Sequence, residues 1–233
     1  MPKISVVIPA LNEEKYIKYA LEGLRNQSFK DFEIIVSDAG SKDKTRQIAK
    51  KYGARVVIEK KPGISSGRNA GARIAKGQIL VFIDADTRAT KDVLKIYSKA
   101  LGNGVVAATG PILPLEKTNI FMQLGYLFVS EIFVKLSIAF GMPSIVGSNF
   151  AITKKSFDAV KGFNEDLITY EDWDLSTRVK KLGKIDFLED ATVYASVRRV
   201  QAWGIKKYFA YHVGNMFRYK FFKKSKDNYA PIR

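Results

Sequence analysis

The chain has 233 residues, no cysteine, and 39 Lys plus Arg against 23 Asp plus Glu, a formal net charge of +16. That length suits one α/β domain with a substantial core, and the absence of cysteine excludes disulfides and thiolate metal sites, as a reducing cytoplasm allows. No linker-like tract, internal repeat or low-complexity segment divides the sequence, and no basic-then-apolar leader opens it, so the expectation is a protein not addressed for secretion.

Residues 3–9 (KISVVIP) read as a first strand running into Ala10-Leu11-Asn12-Glu13-Glu14, where Asn12 is placed to cap a helix that continues to about Arg25. Residues 33–37 form a second expected strand, ending at Asp38 and a polar run to Thr45. Residues 55–59 form a third, followed by Lys61-Pro62-Gly63 and a small-residue helix from about 65 to 76 that carries Arg68 and Asn69 near its start. Residues 79–83 lack polar alternation and read as a strand buried on both faces, ending in Asp84-Ala85-Asp86. Alternate residues of an extended chain share a side, which would point Asp84 and Asp86 the same way. Two adjacent carboxylates repel unless protons or a cation sit between them. A hard divalent ion shared with substrate phosphates fits that arrangement, although solvated strand ends carry the same residues in many proteins. Strands alternating with helices indicate right-handed βαβ units on a mostly parallel sheet. Ligands of such sheets sit outside the carboxyl ends of the strands, so Asn12, Asp38 and the Asp84/Asp86 pair should line one crevice.

Residues 119–140 (NIFMQLGYLFVSEIFVKLSIAF) are long enough to cross a bilayer. Glu131 and Lys135 interrupt them, and each charge costs about 2.5–3.5 kcal/mol at a membrane centre. The two are four apart and pair on a helix. Gln123, Ser130 and Ser137 recur every seven residues as a narrow polar stripe. A helix lying at the membrane interface, packed against the domain or joining a homodimer fits better than a spanning one, and a plain core helix is the other reading. Beyond it, Gly147 and Ser148 permit close backbone approach. Residues 170–174 (YEDWD) open an amphipathic helix, where acids ordinarily complement the helix dipole. From Arg198 to Arg233 ten basic residues and one acid interleave with nine aromatics. This pattern suits an anionic membrane surface better than nucleic acid, with a lysine-rich solvated surface as the plain alternative.

IPALNEE, VSDAGSKDKT, GRNAGARIAKGQILVFIDADT and YEDWDLSTRVKKLG, in that order and at those intervals, resemble the family 2 glycosyltransferases of the GT-A fold. The resemblance covers roughly residues 4–183. It implies an inverting sugar transfer from a nucleotide diphosphate sugar to an acceptor hydroxyl, aided by Mn²⁺ or Mg²⁺. It implies that Pro9, Ala10, Asn12 and Glu13 lie along the nucleoside, with Asp38 at the base or ribose, Arg68 on the donor, Asp84 near ribose and metal, and Asp86 as the direct metal ligand. Asp172 would be the general base, with Glu171 and Trp173 shaping the acceptor pocket together with Gly147 and Ser148; Asp174 is expected at the surface or as a cap. The chain departs from the pattern in residues 191–199 (ATVYASVRR), where many relatives place a histidine metal ligand and none stands here. Arg198 and Arg199 would either clamp the departing diphosphate or merely continue the basic surface.

The expected organisation is an α/β GT-A domain over 1–199, with a nucleotide-sugar half to about 110, an acceptor half over 111–199, and a basic, aromatic helical tail over 200–233. The acceptor is left open among lipid phosphates, lipid-linked sugars and peptides. The expected location is cytoplasmic, peripheral to the inner face of the cell membrane. A sugar-1-phosphate nucleotidyltransferase would need a glycine-rich, Arg-bearing loop after the first strand, and residues 9–14 have none. An idle membrane- or nucleic-acid-binding module would have no need of Asp84, Asp86 and Asp172.

Overall fold

The computed structural model describes residues 1–222; residues 223–233, the end of the expected basic tail, lie outside the described residues. The first three βαβ units follow the sequence pattern: β1 (Ile4–Ala10), α1 (Ile17–Arg25), β2 (Phe32–Asp38), α2 (Thr45–Lys51), β3 (Arg55–Ile58), α3 (Ile64–Ile74) and β4 (Ile79–Ile83). Then come β5 (Thr87–Ala89), α4 (Val93–Ala100), β6 (Val105–Thr109), β7 (Ile112–Pro114), α5 (Ile120–Leu127), a π-helical turn (Phe128–Phe133) and α6 (Val134–Ala139). The remainder is β8 (Asn149–Thr153), α7 (Lys154–Ala159), α8 (Glu171–Val179), β9 (Lys184–Phe187), β10 (Val193–Ala195), α9 (Arg198–Trp203) and α10 (Ile205–Phe222). The anticipated break between residues 199 and 200 therefore falls inside α9.

Seven strands form one sheet in the order β3-β2-β1-β4-β8-β6-β9, and β5-β10-β7 form a second, smaller one. β3, β2, β1 and β4 run parallel, so Ala10, Asp38 and Ile83 end on one edge. β8 enters antiparallel beside β4, setting Phe82 opposite Phe150, and the two rings stack at 4.8 Å. The nucleotide and acceptor halves anticipated from sequence thus share a single sheet, which places their loops along one edge. Strands β1 and β4 are buried on both faces, which explains their unbroken apolar runs. At the seam, buried Asn149 accepts from the Tyr97 hydroxyl at 2.7 Å and donates to the Pro111 and Ala191 carbonyls, satisfying a polar group that would otherwise destabilise the core.

The segment 119–140 is not a core helix, because Ser130 and Val134 are its only buried residues from 120 to 139. Two members of its seven-residue polar stripe, Ser130 and Ser137, face the body of the protein, while Gln123 is exposed. Ser130 Oγ accepts from the Ile112 N–H and donates to the Ile112 carbonyl, while Ser137 Oγ accepts from the Ser144 N–H. The π-helical turn lies around Ser130, at the point of attachment. Glu131 and Lys135 pair as expected at 2.8 Å. Large apolar side chains, among them Phe121, Phe128 and Phe140, are left exposed along the rod.

Helix α3 must lie close to β1 to carry Arg68 into the interior. Glycine permits this: a Cβ at Gly71 would stand 2.3 Å from Val7 Cγ1. Gly71→Ala should therefore lower stability by about 1–3 kcal/mol, read as a fall in the denaturant midpoint.

Candidate active site

Loops after β1 and β2 lock together at the sheet edge. Asn12 adopts a left-handed conformation, φ 52°. Its side-chain oxygen accepts from the Lys42 N–H at 2.8 Å, and its own N–H donates to Ser41 Oγ. The sequence had placed Asn12 as a helix cap, but α1 starts four residues later at a Tyr16 cap position without a side-chain bond. The β2–α2 loop offers Asn12 better partners than the helix does. Buried Asp38 accepts from the Gly40 and Ser41 N–H groups, and its Oδ2 is buried without a hydrogen-bond partner among the described residues. An unmatched carboxylate oxygen there suits a ligand donor such as a base or ribose.

Asp84 and Asp86 lie just past β4 in a turn closed by a hydrogen bond from the Thr87 N–H to the Asp84 carbonyl at 3.1 Å. The alternation expected of an extended chain does not apply to them, and the two carboxylates meet different cations. Asp84 accepts from Arg68 Nη2 at 3.0 Å; Asp86 lies 3.0 Å from Arg198 Nε. Burial, then the neighbouring Asp84, push the Asp86 carboxyl up to about 7, against the pull of Arg198. Arg199 lies over Trp203 at 5.4 Å. Arg198, one of the two anticipated arginines, thus joins the acids.

On the facing side, Tyr170 takes a left-handed conformation, φ 67°, immediately before α8. A bulky residue there stores strain of a kind concentrated at functional sites. Asp172 Oδ2 accepts from the Gly147 N–H at 3.0 Å and Oδ1 from the Trp173 N–H at 2.8 Å. Burial raises the Asp172 carboxyl above the usual range, opposed by Arg68 and those backbone donors. Glu171 is raised by burial and by Asp172. Arg68, 1% exposed, joins the two sides: Nη1 donates to Glu171 Oε1 at 2.7 Å while Nη2 reaches Asp84. Its guanidinium also lies 5.3 Å from the Phe163 ring centre. The close approach that Gly147 permits is to this arginine, since a Cβ would stand 2.7 Å from Arg68 Nη2. Ser148 is half-buried in the same turn.

Asp174 does more than cap or solvate. It pairs with Arg178 at 2.6 Å and accepts from the Tyr219 hydroxyl at 2.9 Å. Tyr219 also stacks on Tyr170 and lies against Trp173, so α10 packs over the start of α8. Neither Tyr219 nor Tyr16, which lies under Arg198, stood out in the sequence. The one visible signal for Tyr219 was its place among the tail's aromatics.

A divalent ion fits the acid cluster in chemistry: Asp86 offers hard oxygen and the Asp84 carboxylate lies near enough to raise it. Among the described residues no group of three or more His, Asp or Glu side chains forms a metal set, so an ion here would share its coordination with phosphate oxygens and water.

Residues 5–161, more than half of the chain, match the family described as glycosyl transferase family 2. The chain belongs to this family. Residues 129–212 also match the N-terminal domain of galactosyltransferase. A Campylobacter jejuni GalNAc(5)-diNAcBac-PP-undecaprenol beta-1,3-glucosyltransferase is 31% identical over 176 residues, covering 71% of this chain and 56% of that protein. Chondroitin synthase of Escherichia coli is 26% identical over 193 residues, covering 78% of this chain and 27% of the synthase. The chain thus spans about half, or less, of these relatives' length. The crystal structure of S. aureus TarS 1-349 with UDP-GlcNAc superposes with a TM-score of 0.67 at 24% identity, over 84% of this chain and 59% of that one. The mannosyltransferase PcManGT of Pyrobaculum calidifontis, in complex with GDP-Man and Mn²⁺, gives 0.67 at 21%, over 91% and 64%. The fold is GT-A.

Gly147→Ala should press on Arg68 and shift the N–H that holds Asp172. Thermal denaturation should show a loss of about 1–3 kcal/mol, with no such loss for Ser148→Ala one residue away.

Proposed function

We propose that this glycosyltransferase moves a sugar from a nucleotide diphosphate donor to an acceptor hydroxyl with inversion, Asp172 acting as general base. The observation that carries this reading is the Asp172 carboxylate, fixed by two backbone N–H groups next to Glu171, which Arg68 ties to Asp84 at the end of β4. Nucleoside binding falls to the interlocked loops at Pro9–Glu13 and Asp38. Asp86, with Asp84 beside it, would hold Mn²⁺ or Mg²⁺, and the ion would supply charge neutralisation for the leaving diphosphate. Asp172 takes the acceptor proton as its oxygen attacks the anomeric carbon, and the bond from that carbon to the diphosphate breaks on the opposite face. Glu171 and Trp173 border the acceptor, with Gly147 and Ser148 on the adjoining turn. Support for the donor class comes from neighbours of the same fold that hold UDP-GlcNAc or GDP-Man with Mn²⁺.

Asp172→Asn keeps the size and one of the two backbone N–H acceptors, and removes the base. Transfer to a polyprenyl-diphosphate-linked sugar should fall by about 10²–10⁴, while calorimetry with the productive donor nucleotide stays near wild type. Retention of most of the rate would move the base elsewhere. Because burial raises the Asp172 carboxyl, the acidic limb of the rate–pH profile should lie above the ordinary aspartate range: activity is lost as pH falls through that raised value.

The acceptor in this reading is lipid-linked and the enzyme sits peripherally on an anionic membrane surface. The relative acting on a PP-undecaprenol-linked substrate supports the lipid. The rod over 120–139 supports the membrane: it is long and apolar enough to cross a bilayer, yet little of it is buried. Basic residues of α10 and beyond would add attraction that salt screens. Flotation should show stronger binding to anionic than to neutral vesicles, and Phe121→Ser/Phe128→Ser/Phe140→Ser should remove the salt-resistant part. Failure of the wild type to float at low salt would overturn the attachment.

A further inference from the structure

The donor site already contains a cation of its own. Arg198, at the first turn of α9, spans two loops: Nε lies 3.0 Å from Asp86 Oδ2 and Nη2 donates to Glu13 Oε1 at 2.7 Å. The guanidinium is stacked over Tyr16 at 4.4 Å, and the side chain is only 16% exposed. Its third nitrogen, Nη1, is buried with no hydrogen-bond partner among the described residues. The backbone that delivers it is firmly tied. Ser196 N–H donates to the Asp86 carbonyl at 3.1 Å, and Glu116 Oε2 accepts from the Val197 N–H at 2.9 Å. Arg198 is thus held against Asp86 from both ends of the contact.

A partly buried carboxylate beside a second acid needs a counter-charge. Arg198 meets that need in the same place where a divalent ion would bind Asp86. Two cations a few ångströms apart repel strongly at low dielectric, so a lone metal ion must first break both ion pairs of the arginine. A metal–nucleoside diphosphate differs, because it brings anionic oxygens that match the guanidinium fork. The arginine then exchanges a carboxylate for a phosphate partner, and its spare Nη1 finds an acceptor.

We propose that Arg198 is the built-in counter-ion of the donor site, holding Asp86 and Glu13 until metal and nucleoside diphosphate arrive together, and then passing to the diphosphate. The exchange makes metal binding depend on the nucleotide, so free Mn²⁺ is a poor ligand for the empty site. This inference rests on the assignment of Asp86 as the metal-binding residue.

Free Mn²⁺ measured by electron paramagnetic resonance tests it, with Mn²⁺ alone and with UDP or GDP added. Wild type should bind Mn²⁺ weakly alone and about tenfold or more tightly with the productive diphosphate, within the usual range of coupling between sites. Arg198→Gln should bind Mn²⁺ alone about tenfold more tightly and lose most of that coupling. Arg198→Lys keeps the charge and should keep Mn²⁺-alone binding weak, and matching melting curves for the three proteins exclude misfolding as the cause. If Arg198→Gln leaves both Mn²⁺-alone affinity and coupling at wild-type values, the counter-ion role is wrong while the Asp86 assignment stands. If Asp86→Ala leaves Mn²⁺ binding with UDP and GDP unchanged, the metal assignment itself fails and the exchange fails with it.

Discussion

Arg68 brings a full positive charge into the interior, where it is stable only because Asp84 and Glu171 meet its two terminal nitrogens at 3.0 and 2.7 Å. Those acids come from opposite parts of the chain, the end of β4 and the start of α8. A buried ion triad of this kind adds little net stability over an apolar core, but each member is costly to remove alone. Its effect is geometric. The acids after β4 are held at a fixed distance from the helix that carries Asp172, and the arginine's charge opposes the rise that burial imposes on the Asp172 carboxyl.

The surroundings are shaped to admit that guanidinium. Gly71 lets α3 approach β1, Gly147 leaves room beside the arginine, and Phe163 presents its ring to it. The same turn that contains Gly147 donates to Asp172, so packing and chemistry share one piece of backbone. Upstream, that turn follows directly from α6, whose Ser137 is bound to the Ser144 N–H. The apolar rod is therefore attached to the turn that holds Asp172 through a short, hydrogen-bonded connection. A surface at which the rod docks would stand close to the proposed base.

Strands β1 to β4 were legible in the sequence because each is an apolar run between breakers, and their ends fall within a residue or so of expectation. The order of the remaining strands was not. β8 inserts antiparallel between β4 and β6, a pairing set by long-range contacts such as Phe82 on Phe150. The acids of the site were recognisable by motif, yet their partners were not. Nothing local in RNAG says that Arg68 is buried, and nothing in SVRR separates Arg198, which joins Asp86, from Arg199, which lies over Trp203. Asn12 misled because its capping ability is local, whereas the competing bond to Lys42 spans thirty residues.

A double-mutant cycle on Arg68 and Glu171, read by denaturant unfolding, tests the dependence of the site on this shared cation most directly. Arg68→Met alone should cost about 3–5 kcal/mol by leaving Glu171 buried without its partner. Adding Glu171→Leu should recover part of that loss, giving a coupling well outside the error of additive sites. Strict additivity of the two substitutions would show that the arginine does not hold the start of α8 to the acids of β4.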